Sequence, residues 1–288
     1  MARPRIPFLK MEGIGNDYIY VDARKSVPGG LPKLAREISD RNFGVGGDGL
    51  ILIRNSRLKG VKHRMQMFNA DGSESEMCGN GLRCVAKYLY DRKLEKAEEF
   101  PIETGAGVLT VKVTSRNGSH IAGRIRVNMG RPRLTRAEIP MLGPAKERCI
   151  NQPFEVEGRN FGITCVSMGN PHCVIFLDQK PDKRLVQTLG PLIENHPLFP
   201  RRTNVHFVWR ESAKRLHQRT WERGTGETLA CGTGAASVCV AAILNGLTGR
   251  KMRIRLLGGE LDMEWSERDG CVYKTGPARE VFSGVWPA

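Results

Sequence analysis

At 288 residues, with 40% hydrophobic and 26% charged side chains, the chain is too long for one ordinary core, which excludes extensive disorder and favours two medium domains. Its formal charge of +15 is dispersed through short patches, Lys59 to Arg64, Arg201-Arg202 and Arg210 to Arg219, rather than gathered in a nucleic-acid motif, so no nucleic-acid partner is expected. The basic N-terminus leads into Lys10, Glu12 and Asp17 instead of an apolar run, and no stretch approaches the roughly 18 apolar residues of a membrane helix, so the expectation is a cytoplasmic protein with no membrane partner.

Residues 8–11 and 18–21 read as strands around the turn Gly13-Ile14-Gly15-Asn16-Asp17. Residues 31–42 carry Leu34 and Ile38 at helical spacing. The glycine-rich stretch from Phe43 to Gly49 lacks the Lys-Ser/Thr of a phosphate-binding loop, so it reads as a tight turn into a strand at 50–53. A strand at 63–68 delivers Asn69-Ala70-Asp71-Gly72-Ser73-Glu74, and a helix over 80–92 carries the apolar stripe Leu82, Val85, Ala86 and Leu89. Strands follow at 102–104, 108–113 and 121–127, and a domain boundary is placed near Gly130.

The stretch opening that helix, Glu74-Ser75-Glu76-Met77-Cys78-Gly79-Asn80-Gly81, has an echo in Glu227-Thr228-Leu229-Ala230-Cys231-Gly232-Thr233-Gly234. Gly15-Asn16 and Gly169-Asn170, Phe68-Asn69 and Trp221-Glu222, and Gly105 and Gly258 keep the same offset within a residue. Such regularity implies a duplicated unit, each copy a curved β-rich layer with a helix starting at its Cys-Gly-x-Gly, the second over 233–245. The expected fold is α/β (α+β), with two pseudo-symmetric domains, each a barrel-like sheet around a central helix and a cleft between them. Residues 1–130 plus 275–288 form one half and 131–274 the other.

A thiol at a helix start sits at the positive end of the dipole, beside backbone N–H groups without intrahelical partners, which lowers its pKa from about 8.5 toward neutrality. The glycines let a carboxylate approach those N–H groups. Two such thiols facing one carbon could remove a proton from one side and return one to the other, inverting it without a metal. Single cysteines are most often small buried hydrophobes, the reading given to Cys84, Cys149, Cys165, Cys173, Cys239 and Cys271. No CxxC or His-x₃₋₅-His spacing suggests zinc. His172 and Glu222 read either as turn-stabilising groups or as partners that tune the thiols. Asn16, Asn69, Asn170 and Asn204 suit either turn capping or an amino-acid headgroup.

Together, the stretches at 13–17, 68–74, 78–84, 168–172, 222–227 and 230–234 resemble the diaminopimelate epimerase family in its own order across almost the whole chain. The resemblance implies cofactor-independent stereoinversion of LL-2,6-diaminopimelate to the meso form, with Cys78 and Cys231 as base and acid and His172 and Glu222 assisting. It implies a small amino-acid substrate held by Asn16, Asn69, Asn170, Asn204, Glu222 and Arg223, with its reacting carboxylate cradled by Gly79-Asn80 and Gly232-Thr233, in a homodimer. The chain departs from the family pattern at Glu12, Gly49 and His206, where some relatives carry histidine, glutamine and an acidic residue. A proline or hydroxyproline racemase is the alternative, and a basic nucleic-acid-binding protein with purely structural glycine turns a remoter one.

Overall fold

The computed structural model describes residues 5–287; residues 1–4 of the basic N-terminal stretch and residue 288 lie outside the described residues. The described residues divide into two compact units, 5–127 with 275–287 and 128–274. Among the described residues, no helix is long and apolar enough to cross a membrane.

The first unit contains β1 (Arg5–Gly13), β2 (Asn16–Asp22), α1 (Leu31–Ser39), β3 (Gly49–Asn55), β4 (His63–Asn69), β5 (Glu74–Ser75), α2 (Gly79–Asp91), β6 (Glu99–Thr104), β7 (Gly107–Ser115) and β8 (Ala122–Asn128). The last strand of the chain, Arg279–Pro287, lies antiparallel along β1 from Arg5↔Pro287 to Glu12↔Arg279. From β1 the order runs through β2, β3, β4, β6 and β7 to β8, antiparallel except at the β2–β3 and β4–β6 pairs. Parallel neighbours need a crossover. The β2–β3 crossover carries α1 and the β4–β6 crossover carries α2.

The second unit contains β9 (Gln152–Val156), β10 (Arg159–Ser167), β11 (Pro171–Leu177), α3 (Lys183–Glu194), β12 (Asn204–Ser212), β13 (Arg215–Glu222), β14 (Gly226–Thr228), α4 (Gly232–Leu244), β15 (Lys251–Leu256) and β16 (Gly259–Trp265); β17 (Val272–Gly276) runs across the boundary at 274, and the final strand is β18. Its order β9, β10, β11, β12, β13, β15, β16 repeats the first unit's β18, β1, β2, β3, β4, β6, β7 pair for pair, including the two parallel steps. Thus β9 plays beside β10 the part that β18 plays beside β1. The hairpins show where the repeat offset drifts. Gly13 pairs with Asn16 across the two-residue turn Ile14-Gly15, whereas Ser167 pairs with Pro171 across three residues. Ile14 and Gly15 both have positive φ, 55° and 84°, the backbone a two-residue type I′ hairpin demands. A buried isoleucine held there marks local strain in the loop that carries Asn16.

Each crossover helix earns its place by burial. Leu34, Ala35 and Ile38 of α1 join Ile19, Val21, Leu50 and Leu52 in one core, and Val186, Leu189 and Ile193 of α3 join Ile163, Ile175 and Phe207 in the other. Helix α1 stops at Ser39 rather than 42 because Asp40 leaves helical backbone and its carboxylate accepts the N–H groups of Asn42 and Phe43 at 2.7 and 2.8 Å. Helices α2 and α4 are more deeply enclosed. The sheet curls around each, since α2 touches β1, β2 and β7 and α4 touches β10, β11, β12, β15 and β16, strands from both ends of the order. Accordingly Leu82, Val85, Ala86 and Leu89 are wholly buried, and α4 is apolar on every face, as a helix without a solvent side must be.

The enclosure is tightest at the first turn. A Cβ on Gly81 would lie 2.5 Å from Cδ1 of the wholly buried Ile51, and one on Gly234 would lie 2.4 Å from Cε1 of His206. Gly81→Ala should therefore lower the urea midpoint despite alanine's better helix propensity, by about 1–3 kcal/mol of overpacking. Adding Ile51→Val, which removes the clashing methyl, should restore part of the loss; a Gly81→Ala protein as stable as the parent would contradict this packing.

Candidate active site

Cys78 is the N-cap of α2 and Cys231 the N-cap of α4, both with extended backbone. The first intrahelical bonds run from Leu82 N–H to Cys78 O at 2.8 Å and from Ala235 N–H to Cys231 O at 2.9 Å. The N–H groups before them, at Gly79 and Asn80 and at Gly232 and Thr233, thus have no partner earlier in their own helix, and lead each helix with donors suited to an anion. The two cysteine turns share this backbone and differ in the side chains around the sulfur.

In the first unit, the Cys78 Sγ donates to Asn16 Oδ1 at 3.2 Å and accepts the Gly81 N–H at 3.3 Å. Asn16 is held in that orientation because its Nδ2 donates to Asp48 Oδ2 at 2.6 Å. Asp48 also accepts the Asp17 N–H at 3.1 Å and pairs with Arg41 at 2.9 Å, while Asp17 pairs with Lys10 and Arg41 at 2.5 and 2.7 Å. The Tyr18 phenol is buried beside the Cys78 thiol and Asp48, and burial first, then those neighbours, pushes its pKa far up. Asn80 is buried, with Oδ1 accepting from Arg83 Nη1 at 2.8 Å; the wholly buried Arg83 also donates to Pro277 O at 2.9 Å. Asn69 Nδ2 donates to Ser73 Oγ at 3.0 Å. Gly49 contributes no side chain, and a Cβ there would lie 2.1 Å from the Phe68 carbonyl oxygen. Glu12 accepts the Gly15 N–H at 3.0 Å and pairs with Arg279 at 3.0 Å, bracing the Asn16 turn.

In the second unit, Cys231 is 4% exposed, and its thiol pKa lies well above the ordinary value. Burial is the main cause and the Glu222 carboxylate beside it the second; the Gly234 N–H and the Thr233 hydroxyl work the other way. The expectation that a helix start brings the thiol toward neutrality is thus overturned at Cys231, because loss of water and a like charge outweigh the dipole. Glu222 also accepts from Thr228 Oγ1 at 2.5 Å. His172 does not reach Cys231 directly: its Nδ1 lies 2.8 Å from His206 Nε2 and its Nε2 lies 2.8 Å from Asn170 Oδ1. Asn170 Nδ2 points to Thr233 Oγ1 at 3.5 Å, and that hydroxyl is 3.7 Å from the Cys231 sulfur. Asn204 joins two loops through main chain, donating to Pro171 O at 2.8 Å and accepting the Arg223 N–H at 3.1 Å. The Arg223 guanidinium donates to Arg201 O at 2.9 Å.

Asp48, Tyr18, Arg83, Gln218 and Thr220 went unmarked in the sequence. Asp48 looked like part of a tight turn and Tyr18 like a strand residue. The signal that could have found Tyr18 is its place two residues beyond Asn16 on a strand, which turns it to the same face. The other six cysteines are unpaired thiols; Cys84, Cys149, Cys165, Cys173 and Cys239 are buried, and Cys271 is partly exposed. Among the described residues, no group of three His, Cys, Asp or Glu side chains could hold a metal ion.

The family model for diaminopimelate epimerase matches residues 8–135 and 164–281. The chain is 55% identical to the diaminopimelate epimerase of Leptospira biflexa, over 97% of this chain and 98% of that one. It is 49% identical to the diaminopimelate epimerase of Moorella thermoacetica, over 97% and 99%. Among solved structures it resembles a hydroxyproline epimerase from Agrobacterium vitis, with a TM-score of 0.68 at 14% identity over 98% of this chain and 92% of that one. It also resembles a PhzF-family phenazine biosynthesis protein from Bacillus anthracis, with a TM-score of 0.67 at 16% identity over 98% and 99%. At such identities these two structures speak for the fold alone.

The electrostatics at Cys231 give a signed expectation. A raised thiol pKa keeps the sulfur protonated through neutrality, so alkylation of Cys231 by iodoacetamide, mapped by peptide mass spectrometry, should keep rising with pH beyond the ordinary thiol value of about 8.5. Glu222→Gln removes a charge that opposes the thiolate, so Cys231 should react severalfold faster at fixed pH while Cys78 is unaffected. A slower Cys231 in that variant would contradict the assigned sign.

Proposed function

The chain belongs to the diaminopimelate epimerase family, and from that premise we propose that it inverts one α-carbon of LL-2,6-diaminopimelate to give the meso isomer, with Cys78 and Cys231 as its two bases. The carrying observation is that both thiols N-cap buried helices in duplicated units, each at the head of a row of backbone donors. One thiolate removes the α-proton while the other thiol delivers a proton to the opposite face. No covalent bond to the substrate is needed. The negative charge that develops toward the carboxylate is met by fixed N–H groups of Gly79-Asn80 and Gly232-Thr233, which cost no reorganisation as the reaction proceeds.

Around this pair we assign Glu222 to the Cys231 thiol, as the carboxylate that keeps it protonated, and Asn16 to both substrate and Cys78. Asn69, Asn170, Asn204 and Arg223 are assigned to the substrate's amino-acid groups, which need donors and acceptors side by side. His172 acts through Asn170, consistent with its two ring nitrogens being bonded to Asn170 and His206. No nucleic acid or membrane enters this reading. Eight unpaired cysteines favour a reducing compartment, and we place the protein in the cytoplasm. A homodimer is supported by the exposed apolar side chains of Val281, Phe282 and Val285 along β18, which an apposed second copy would cover.

Purified protein given LL-diaminopimelate in deuterated water should build deuterium at the α-carbon and accumulate the meso isomer. Cys78→Ala and Cys231→Ala should each lower the rate by at least about 10²–10⁴-fold, the worth of one positioned acid or base. Exchange with L-proline and none with diaminopimelate would replace this reading with the racemase alternative. Light scattering should give twice the 32.1 kDa chain mass, and Phe282→Lys should shift it toward the monomer; a monomeric parent would remove the dimer.

A further inference from the structure

The floor beneath the two cysteine turns is built differently. Under the first turn of α2 it is Ile51 on β3, and under that of α4 it is His206 on β12, each touching the place where the second glycine of the motif lacks a Cβ. A hydrocarbon in one unit is thus answered by a buried hydrogen-bonding ring in the other. His206 is wholly buried, and so are its neighbours His172, Gln218 and Thr220 to within 2%. Its Nδ1 faces Gln218 Nε2 at 3.1 Å and Thr220 Oγ1 at 3.0 Å, and its Nε2 faces His172 Nδ1 at 2.8 Å.

The amides at the two ends, Gln218 and Asn170, give this chain of bonds a direction. With Nε2 turned to the ring, Gln218 faces Thr220 Oγ1 at 2.8 Å and His206 Nδ1 at 3.1 Å, two atoms themselves 3.0 Å apart and served by the same side of the amide, while Oε1 is left without a partner. Turned the other way, both amide hydrogens would face that partnerless position, and a buried donor left unsatisfied is rarer than a carbonyl acceptor. Asn170 Oδ1 can only accept, so His172 donates from Nε2 and accepts at Nδ1, and His206 in turn donates from Nε2 and accepts at Nδ1. The His206 proton is thus on Nε2 and points to His172 Nδ1, and the His172 proton is on Nε2 and points to Asn170 Oδ1, 2.8 Å away. Burial holds the His172 pKa well below the ordinary value, with His206 and Arg223 adding to the effect, and brings that of His206 to about 3. Both rings therefore stay neutral, with one proton for each link.

We propose that His206 is a positioning residue for the epimerisation: it holds His172 in the tautomer protonated on Nε2, and through that proton fixes Asn170 with its amide nitrogen turned toward Thr233 at the Cys231 turn. The role follows from the hydrogen bonds that link His206, His172, Asn170 and Thr233 in series. Asn170 can then offer a donor, never an acceptor, on its Thr233 side, which selects an acceptor group of the substrate there. The inference rests on the reading of the Asn170 loop and the Cys231 turn as part of the epimerase site.

Nitrogen-15 histidine labelling of the full-length protein and a long-range proton–nitrogen correlation spectrum test it without any change to the fold. Signals are assigned by their loss in His172→Gln and His206→Gln. Both residues should show the neutral pattern with the proton on Nε2, and a His172 protonated on Nδ1 overturns the proposal. His206→Gln, whose amide N–H can replace the ring donor, should keep the His172 tautomer and most activity. His206→Leu should mix the tautomers and lower kcat/KM for diaminopimelate roughly 10–100-fold, as losing the partner that orients a functional histidine does, with most of the loss in KM. An unchanged His172 spectrum in His206→Leu, or equal defects in the two variants, overturns it as well. A parent protein that ignores diaminopimelate would instead count against the functional assignment, and the tautomer measurement would still decide the direction of the chain.

Discussion

The close approach of a helix start to the sheet beneath it is the constraint on which the rest of each unit depends. Ile51 and His206 occupy space that a Cβ at Gly81 or Gly234 would need, so the motif's second glycine is fixed by packing rather than by loop flexibility. The consequence is chemical. With the helix pressed so far into the curl of the sheet, its first turn and the N-cap thiol are brought in from bulk water, and the leading N–H groups depend on what the site itself supplies. Donors led into a buried helix start favour negative charge, which is the property the proposed carboxylate cradle draws on.

Duplication supplied two such turns, and divergence equipped them differently. Cys78 lies against an amide oxygen and a phenol, with Asn16 pinned by Asp48 and Asp48 by Arg41. Cys231 lies against a carboxylate, Glu222, with a hydroxyl and an imidazole-bound amide nearby. The repeat position of Glu222 in the first unit is Asn69, so a single exchange of carboxylate for amide changes the charge beside one thiol and not the other. The backbone can remain symmetric while the titration of the two sulfurs is set independently.

Much of this was legible in the sequence, because the repeat is carried by short, local signals. Glycine turns at fixed offsets, an apolar stripe at Leu82, Val85, Ala86 and Leu89, and the paired Cys-Gly-x-Gly each survive in a window of a few residues. What stayed hidden depends on pairing across distance. Strand β9 and helix α3 were missed: β9 has only five residues, and α3 contains Gly190 and Pro191, which read as breakers. Gly190 is required there because a Cβ would lie 2.6 Å from the Trp221 ring. Asp48 and His206 gain meaning only once β-sheet register brings them to Asn16 and His172, 32 and 34 residues away. The lowered thiol pKa expected from the helix dipole failed at Cys231 for a related reason, since burial and Glu222 are properties of the fold.

The inversion proposed above asks each thiol to be the acid in one direction and the base in the other, and the surroundings of Cys231 bear on both demands. Burial and Glu222 favour the protonated sulfur, which makes a ready acid poor at releasing a proton unasked. The Gly234 N–H and the Thr233 hydroxyl favour the thiolate, and neither must move for the sulfur to gain charge. When Cys231 takes the role of base, the cost of its thiolate is met by these fixed donors. When it takes the role of acid, the same donors stabilise the sulfur it leaves behind. The fixed donors therefore offset part of the preference for the protonated sulfur that burial and Glu222 impose, and the nearer the two protonation states are brought, the better one group can serve in both directions.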